Sequence, residues 1–140
     1  MIALDTNLLI YAHRKAVPQH TAARRAITEA LARDACGVAM HTLSEFWAVV
    51  THPSSEGGPS KPAVARAFLT ELTKAGIVVW TPAPGFGDRL LATAESRAIT
   101  GPRIFDLQIG LTASEAGATE IWTADRGFVS PPGLLVVHPF

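Results

Sequence analysis

Short apolar runs alternate with amphipathic stretches along almost the whole chain. Ile2 to Leu4 is apolar and stops at Asp5; residues 38–40, 77–80, 121–123 and 134–137 are similarly short and rich in apolar, β-branched or aromatic side chains. Such runs predict five buried strands. Between them the spacing is helical. Asp5-Thr6-Asn7 can cap a helix over residues 8–13. Residues 20–34 put Ala23, Ile27, Ala30 and Leu31 on one face, with Pro18 in the first turn and Gly37 ending the segment. Thr42 opens a third helix that runs to Val50 and is stopped before Pro53. Residues 61–75 line Ala65, Phe68, Leu69, Leu72 and Ala75 along one side, and Gly76 closes the turn. Residues 86–98 and 105–116 are also helical; the latter is apolar nearly all round and is expected at the centre. Trp47, Trp80 and Trp122 fall in apolar patterns and are expected in the core.

Strand followed by helix, repeated, predicts a parallel sheet covered on both faces. The expected fold is α/β: one domain over residues 1–140, a three-layer α/β/α sandwich around a central, mainly parallel sheet of about five strands. Ligands of such sheets bind beyond the carboxyl ends of the strands. The one linker-like stretch, residues 53–61, reads as a surface loop because helical patterns flank it.

Composition narrows the function. A 14.8 kDa chain should fold to a surface of about 7,000 Å², about a third of its unfolded value, which allows a core without disulfide or metal staples. Hydrophobic residues are 48% and charged residues 17%, so the chain is not disordered, and a self-association or partner surface is expected. Twelve basic residues balance twelve acidic ones. No long-range field attracts nucleic acid, and any such contact must be local or mediated by metal ions. Cys36 is the only cysteine, which suits a cytoplasmic protein. Asp5 comes too early for a signal-peptide core, and no apolar run is long enough to span a membrane.

Four acids stand apart from the rest. Asp5 directly follows strand one, Glu45 lies one turn into the helix after strand two, Asp106 is in the first turn of the apolar helix, and Asp125 lies just past strand four. In a parallel sheet all four share the ligand-binding edge. Each also has a structural reading: Asp5 as an N-cap, Glu45 as the acid of a Thr42-x-x-Glu45 capping box, Asp106 as a dipole partner, Asp125 as a turn residue. Their coincidence is harder to explain that way. Four converging carboxylates repel one another unless a cation neutralises them. All-oxygen ligands favour Mg²⁺ or Mn²⁺, and such ions serve in-line displacement at phosphorus.

The chain resembles the PIN domain, and within it the VapC-type ribonuclease toxins of toxin–antitoxin pairs. The resemblance is carried by Ile2-Ala3-Leu4-Asp5-Thr6-Asn7, Ser44-Glu45, Phe105-Asp106-Leu107-Gln108-Ile109, Thr123-Ala124-Asp125-Arg126-Gly127-Phe128 and the closing strand with Pro139, in order along the whole chain. It implies a Mg²⁺- or Mn²⁺-dependent endoribonuclease whose catalytic and metal-binding acids are Asp5, Glu45, Asp106 and Asp125. Asn7 and Thr123 would orient those carboxylates. The resemblance also implies a homodimer and a cognate VapB-like antitoxin. Arg103 and Arg126, close in sequence to two of the acids, are candidates for positioning RNA phosphates. A PIN nuclease of RNA processing and a catalytically silent RNA- or protein-binding module are the alternatives. The five histidines lack zinc-ligand spacing, and no lysine stands near the late strands as a receiver-like site would need.

Overall fold

The computed structural model describes residues 1–140. Five strands form one sheet in the order β3-β2-β1-β4-β5, with every neighbouring pair parallel. They are β1 (Ile2–Leu4), β2 (Cys36–Ala39), β3 (Val78–Trp80), β4 (Glu120–Trp122) and β5 (Leu135–Val137). Six helices connect them: α1 (Thr6–His13), α2 (His20–Arg33), α3 (Met40–Val50), α4 (Pro62–Lys74), α5 (Phe86–Ser96) and α6 (Arg103–Glu115). This is the expected three-layer α/β/α architecture, and the molecular surface of 7330 Å² matches the size-based expectation.

The central strands are buried on both faces, so their side chains divide by parity. Ile2, Leu4, Cys36, Val38 and Trp122 point to one side and join Leu8, Leu9, Ala23, Ile27, Phe46 and Val50 from α1, α2 and α3. Ala3, Ala39 and Ile121 point to the other and pack on Ile109 and Ala113 of α6. Alanine on that second face lets α6 lie close to the sheet. Gly37 does not end a helix as the sequence suggests. It lies within β2, where a Cβ would sit 2.4 Å from the Trp80 ring. Close approach, not a turn, requires glycine there.

Strand order reverses at β1: the chain winds outward through β2 and β3, then crosses back to lay down β4 and β5 on the other side. The crevice at the carboxyl ends of β1 and β4 is therefore a topological switch point, the usual ligand position in open parallel sheets.

Several local expectations are corrected. α3 begins at Met40, so Thr42 is already inside the helix; it is fully buried and its hydroxyl has no hydrogen-bond partner. There is no capping box with Glu45, because the main-chain path out of β2, not the side chain of Thr42, sets the helix start. Pro18 lies in the turn before α2 rather than in its first turn. α6 is covered on one side only: Leu107, Ile109, Gly110, Thr112 and Ala113 are buried, but Phe105 is exposed. Trp122 is core, Trp80 is half-buried and Trp47 is exposed. The 53–61 loop is tied down by Arg14, a buried residue whose guanidinium donates to the Val50 and Gly58 carbonyls and to Ser55.

Candidate active site

β1 ends at Leu4, and the chain turns directly into α1 with Asp5 as its N-cap. Asp5 Oδ1 accepts the Thr6 N–H at 2.8 Å. Its other oxygen, Oδ2, accepts the Thr123 hydroxyl at 2.6 Å and the Asn7 amide at 3.0 Å. Asn7 Nδ2 also reaches Thr123 Oγ1 at 3.0 Å, and Asn7 Oδ1 accepts the Ala124 N–H at 3.0 Å. This mesh joins the end of β1 to the loop after β4. It forms because β1 and β4 are adjacent and in register, Leu4 opposite Trp122. Asn7 and Thr123 thus both contact the Asp5 carboxylate.

The other acids come from three further elements. Glu45 projects from the second turn of α3, and its Oε2 accepts the Thr6 hydroxyl at 2.8 Å. Asp106, in the first turn of α6, accepts the Val129 N–H at 3.3 Å. Asp125 Oδ1 accepts the Gly127 N–H at 2.8 Å. Asp5, Glu45, Asp106 and Asp125 line one cleft of about 340 Å³, together with Thr6, Asn7 and Ile10. A larger groove of about 480 Å³ between α2 and α4 is mainly apolar, with Ile27, Leu31, Phe68 and Leu72 in its wall. Glu71 is the one acid in its lining, against four in the smaller cleft, so the chemistry belongs to the smaller cleft.

Charge in the cleft is unbalanced. Burial pushes the Asp5 carboxyl from 3.8 up to about 6, against the hydrogen bonds from Thr123 and Thr6, and the nearby Asp106 and Glu45 raise it further. The one guanidinium in contact lies at the outer end: Arg103 Nη1 is 3.2 Å from Asp106 Oδ2, 3.5 Å from Asp125 Oδ2 and 2.6 Å from the Gly127 carbonyl. Both Arg103 and Arg126 are exposed, but only Arg103 pairs with the acids. No lysine or arginine touches the inner pair, Asp5 and Glu45; the ring nitrogen His41 Nε2 lies 3.6 Å from Glu45 Oε1. The donor set is all oxygen and short of positive charge, which suits a hard divalent cation. As they stand, no three of these side chains are grouped closely enough to hold a metal ion; they line one open cleft.

Thr6 was not singled out from the sequence as an orienting residue. Its signal is its place inside Asp5-Thr6-Asn7, but its partner Glu45 is 39 residues away.

Residues 2–134 match the PIN domain. This chain belongs to the PIN domain family. Among curated relatives, ribonuclease VapC24 of Mycobacterium tuberculosis is 28% identical over 130 residues, 91% of this chain and 89% of the relative. Ribonuclease VapC48 of the same organism is 26% identical over 138 residues, 97% of this chain and 95% of the relative. The fold is shared with the crystal structure of M. tuberculosis VapC20, a sarcin–ricin loop cleaving toxin, at TM-score 0.69 and 14% identity over 94% of this chain and 100% of that one. It is also shared with the Rickettsia felis VapBC2 structure, solved bound to a DNA fragment from its promoter, at TM-score 0.66 and 18% identity, with 98% of each chain covered. As a PIN domain the chain is thus similar to VapC ribonucleases along nearly its full length. No helix is long and apolar enough to cross a membrane.

Proposed function

We propose that this PIN domain is a divalent-metal-dependent endoribonuclease acting as the toxin of a toxin–antitoxin pair. The observation that carries the reading is the convergence of Asp5, Glu45, Asp106 and Asp125 on one cleft at the sheet's switch point. The likeness to VapC24 and VapC48 supports RNA as the substrate. A VapB-like antitoxin and a homodimer are proposed on the same kinship, and exposed Met40, Trp47 and Val49 on α3 supply apolar area for protein contact.

In this reading Asp5, Asp106, Glu45 and Asp125 hold Mg²⁺ or Mn²⁺. An ion held there supplies Lewis-acid polarisation at a phosphodiester and stabilises developing negative charge. The chain does the rest. Thr123 and Asn7 fix Asp5 through its Oδ2, and the Thr6 N–H fixes the other oxygen, so the carboxylate cannot rotate away. Thr6 fixes Glu45 by Oε2 and leaves Oε1 without a hydrogen bond of normal length. Glu45 is the acid best placed to take a proton from an attacking water. Arg103 spreads positive charge over Asp106 and Asp125, at the end of the cleft from which an anionic substrate would enter.

The test is Glu45→Gln. The amide is nearly isosteric and can still accept from Thr6, so the fold should be retained. It cannot take a proton, and it weakens the hold on a cation. RNA cleavage in Mn²⁺ should fall at least ~100-fold, the lower scale for losing a general base. Cleavage near the wild-type rate would remove Glu45 from the mechanism. Failure of the wild-type chain to cut RNA in either metal would overturn the reading.

A further inference from the structure

At the rim of the acid cleft lies an aromatic pair for which the hydrolytic chemistry has no use. Phe105 immediately precedes Asp106 and is 46% exposed. Its ring stacks on His41 of α3, with centroids 5.3 Å apart and planes at 11°. His41 stands one helical turn before Glu45, on the same face. Its Nε2 has no hydrogen-bond partner in the chain. The stack is thus tied to one site acid by a peptide bond and to another by a helical turn.

An exposed phenylalanine in the first turn of an amphipathic helix leaves apolar area in water. His41 lies nearly parallel to the ring and offset from it, which leaves ring area open to solvent. A second observation concerns charge. The chain is neutral overall and its cleft is acidic. Electrostatic attraction therefore contributes little to holding a polyanion here. Stacking of bases on aromatic rings is the remaining large source of affinity for single-stranded nucleic acid, and it tolerates any base because each has a π face.

We propose that the Phe105–His41 stack is the seat of an unpaired nucleobase beside the scissile phosphodiester. Phe105 touches the base and His41 positions Phe105. A base in a duplex presents no free face, so the substrate is single-stranded or unstacked at the cut. The proposal rests on the ribonuclease reading for its ligand, and the experiment keeps the two apart.

Binding is measured with Asp5→Asn chain, to stop cleavage, and a series of short single-stranded RNAs, each carrying one 2-aminopurine. The expected result is quenching at one position, lost in Phe105→Leu together with about tenfold of affinity, within the range of one base–aromatic stack. Phe105→Tyr should keep both. An abasic nucleotide at the quenched position should weaken binding as much as Phe105→Leu does, and the two losses should not add. Quenching at no position, or equal losses on intact and abasic RNA, would overturn the proposal; the latter would make Phe105 a packing residue or a protein contact. Cleavage by the wild-type chain is assayed separately. RNA cut without Phe105-dependent quenching sinks the platform alone, whereas Phe105-dependent quenching without cleavage upholds the platform and sinks the nuclease reading.

Discussion

Asp5 and Asp125 belong to one cleft but are held very differently. Asp5 is buried and accepts three hydrogen bonds, from groups that two adjacent parallel strands bring together. Asp125 is half-exposed in a loop; it accepts one main-chain N–H and faces Arg103 across 3.5 Å. The inner acid is fixed by the sheet and carries an unfavourable charge; the outer one is adjustable and already part-neutralised. Precise placement of a cation-binding group is worth most where rotation would cost geometry.

Substitutions at the two ends should therefore differ in kind. The largest effect is expected at Asp5. Its carboxyl is raised from 3.8 to about 6 in the folded chain, so the folded state binds the proton more tightly than the unfolded state. Metal-free stability is then fully present below pH ~4 and lost as pH rises through about 6, by on the order of 3 kcal/mol in total. Denaturant titrations of wild type and Asp5→Asn across pH 3 to 8 (roughly the window set by these two values) should show that slope only in the wild type. RNA cleavage by Asp5→Asn should drop at least ~100-fold at every pH, as for loss of an essential acid–base or charge-holding group.

A somewhat smaller effect is expected from the ion itself. Mn²⁺ at about 100 times its dissociation constant should stabilise the fold by about 2.7 kcal/mol. Thermal melts should show this in the wild type and not in the Asp5→Asn, Asp106→Asn double variant. A melting temperature indifferent to Mn²⁺ and Mg²⁺ through the millimolar range would refute the site.

Next comes Thr123→Val, which removes the 2.6 Å hydrogen bond to Asp5 and keeps the side-chain shape. Loss of such a supporting bond should weaken Mn²⁺ binding about 10-fold, toward the low end for residues that orient a metal ligand. Calorimetric titration with Mn²⁺ measures it. The smallest effect belongs to the outer end: Asp125→Asn should change stability by less than ~1 kcal/mol, as expected for an exposed ion pair. If Asp125→Asn instead costs as much as Asp5→Asn in both stability and Mn²⁺ affinity, the two ends are equivalent and the contrast fails.

The layered fold and the shared edge of the four acids were legible from the chain alone. Short apolar runs and 3.6-residue periodicity are local properties, and a parallel sheet necessarily puts every strand's carboxyl end on one side. Asp5 and Asp125, one and three residues past their strands, needed no further information to be placed there. The partners of those acids were not legible. Thr42-x-x-Glu45 has the spacing of a capping box, yet α3 starts two residues before Thr42, and Glu45 turns instead to Thr6. Arg103 looks like a free cation in sequence but is drawn onto Asp106 and Asp125. Phe105 fits an apolar helix destined for the core but stays at the surface against His41, 64 residues earlier in the chain. Periodicity reports how apolar a helix is, not how much of its circumference neighbours will cover. Strand order and helix packing settle those contacts, because each joins side chains on different elements, and no local pattern encodes which elements become neighbours.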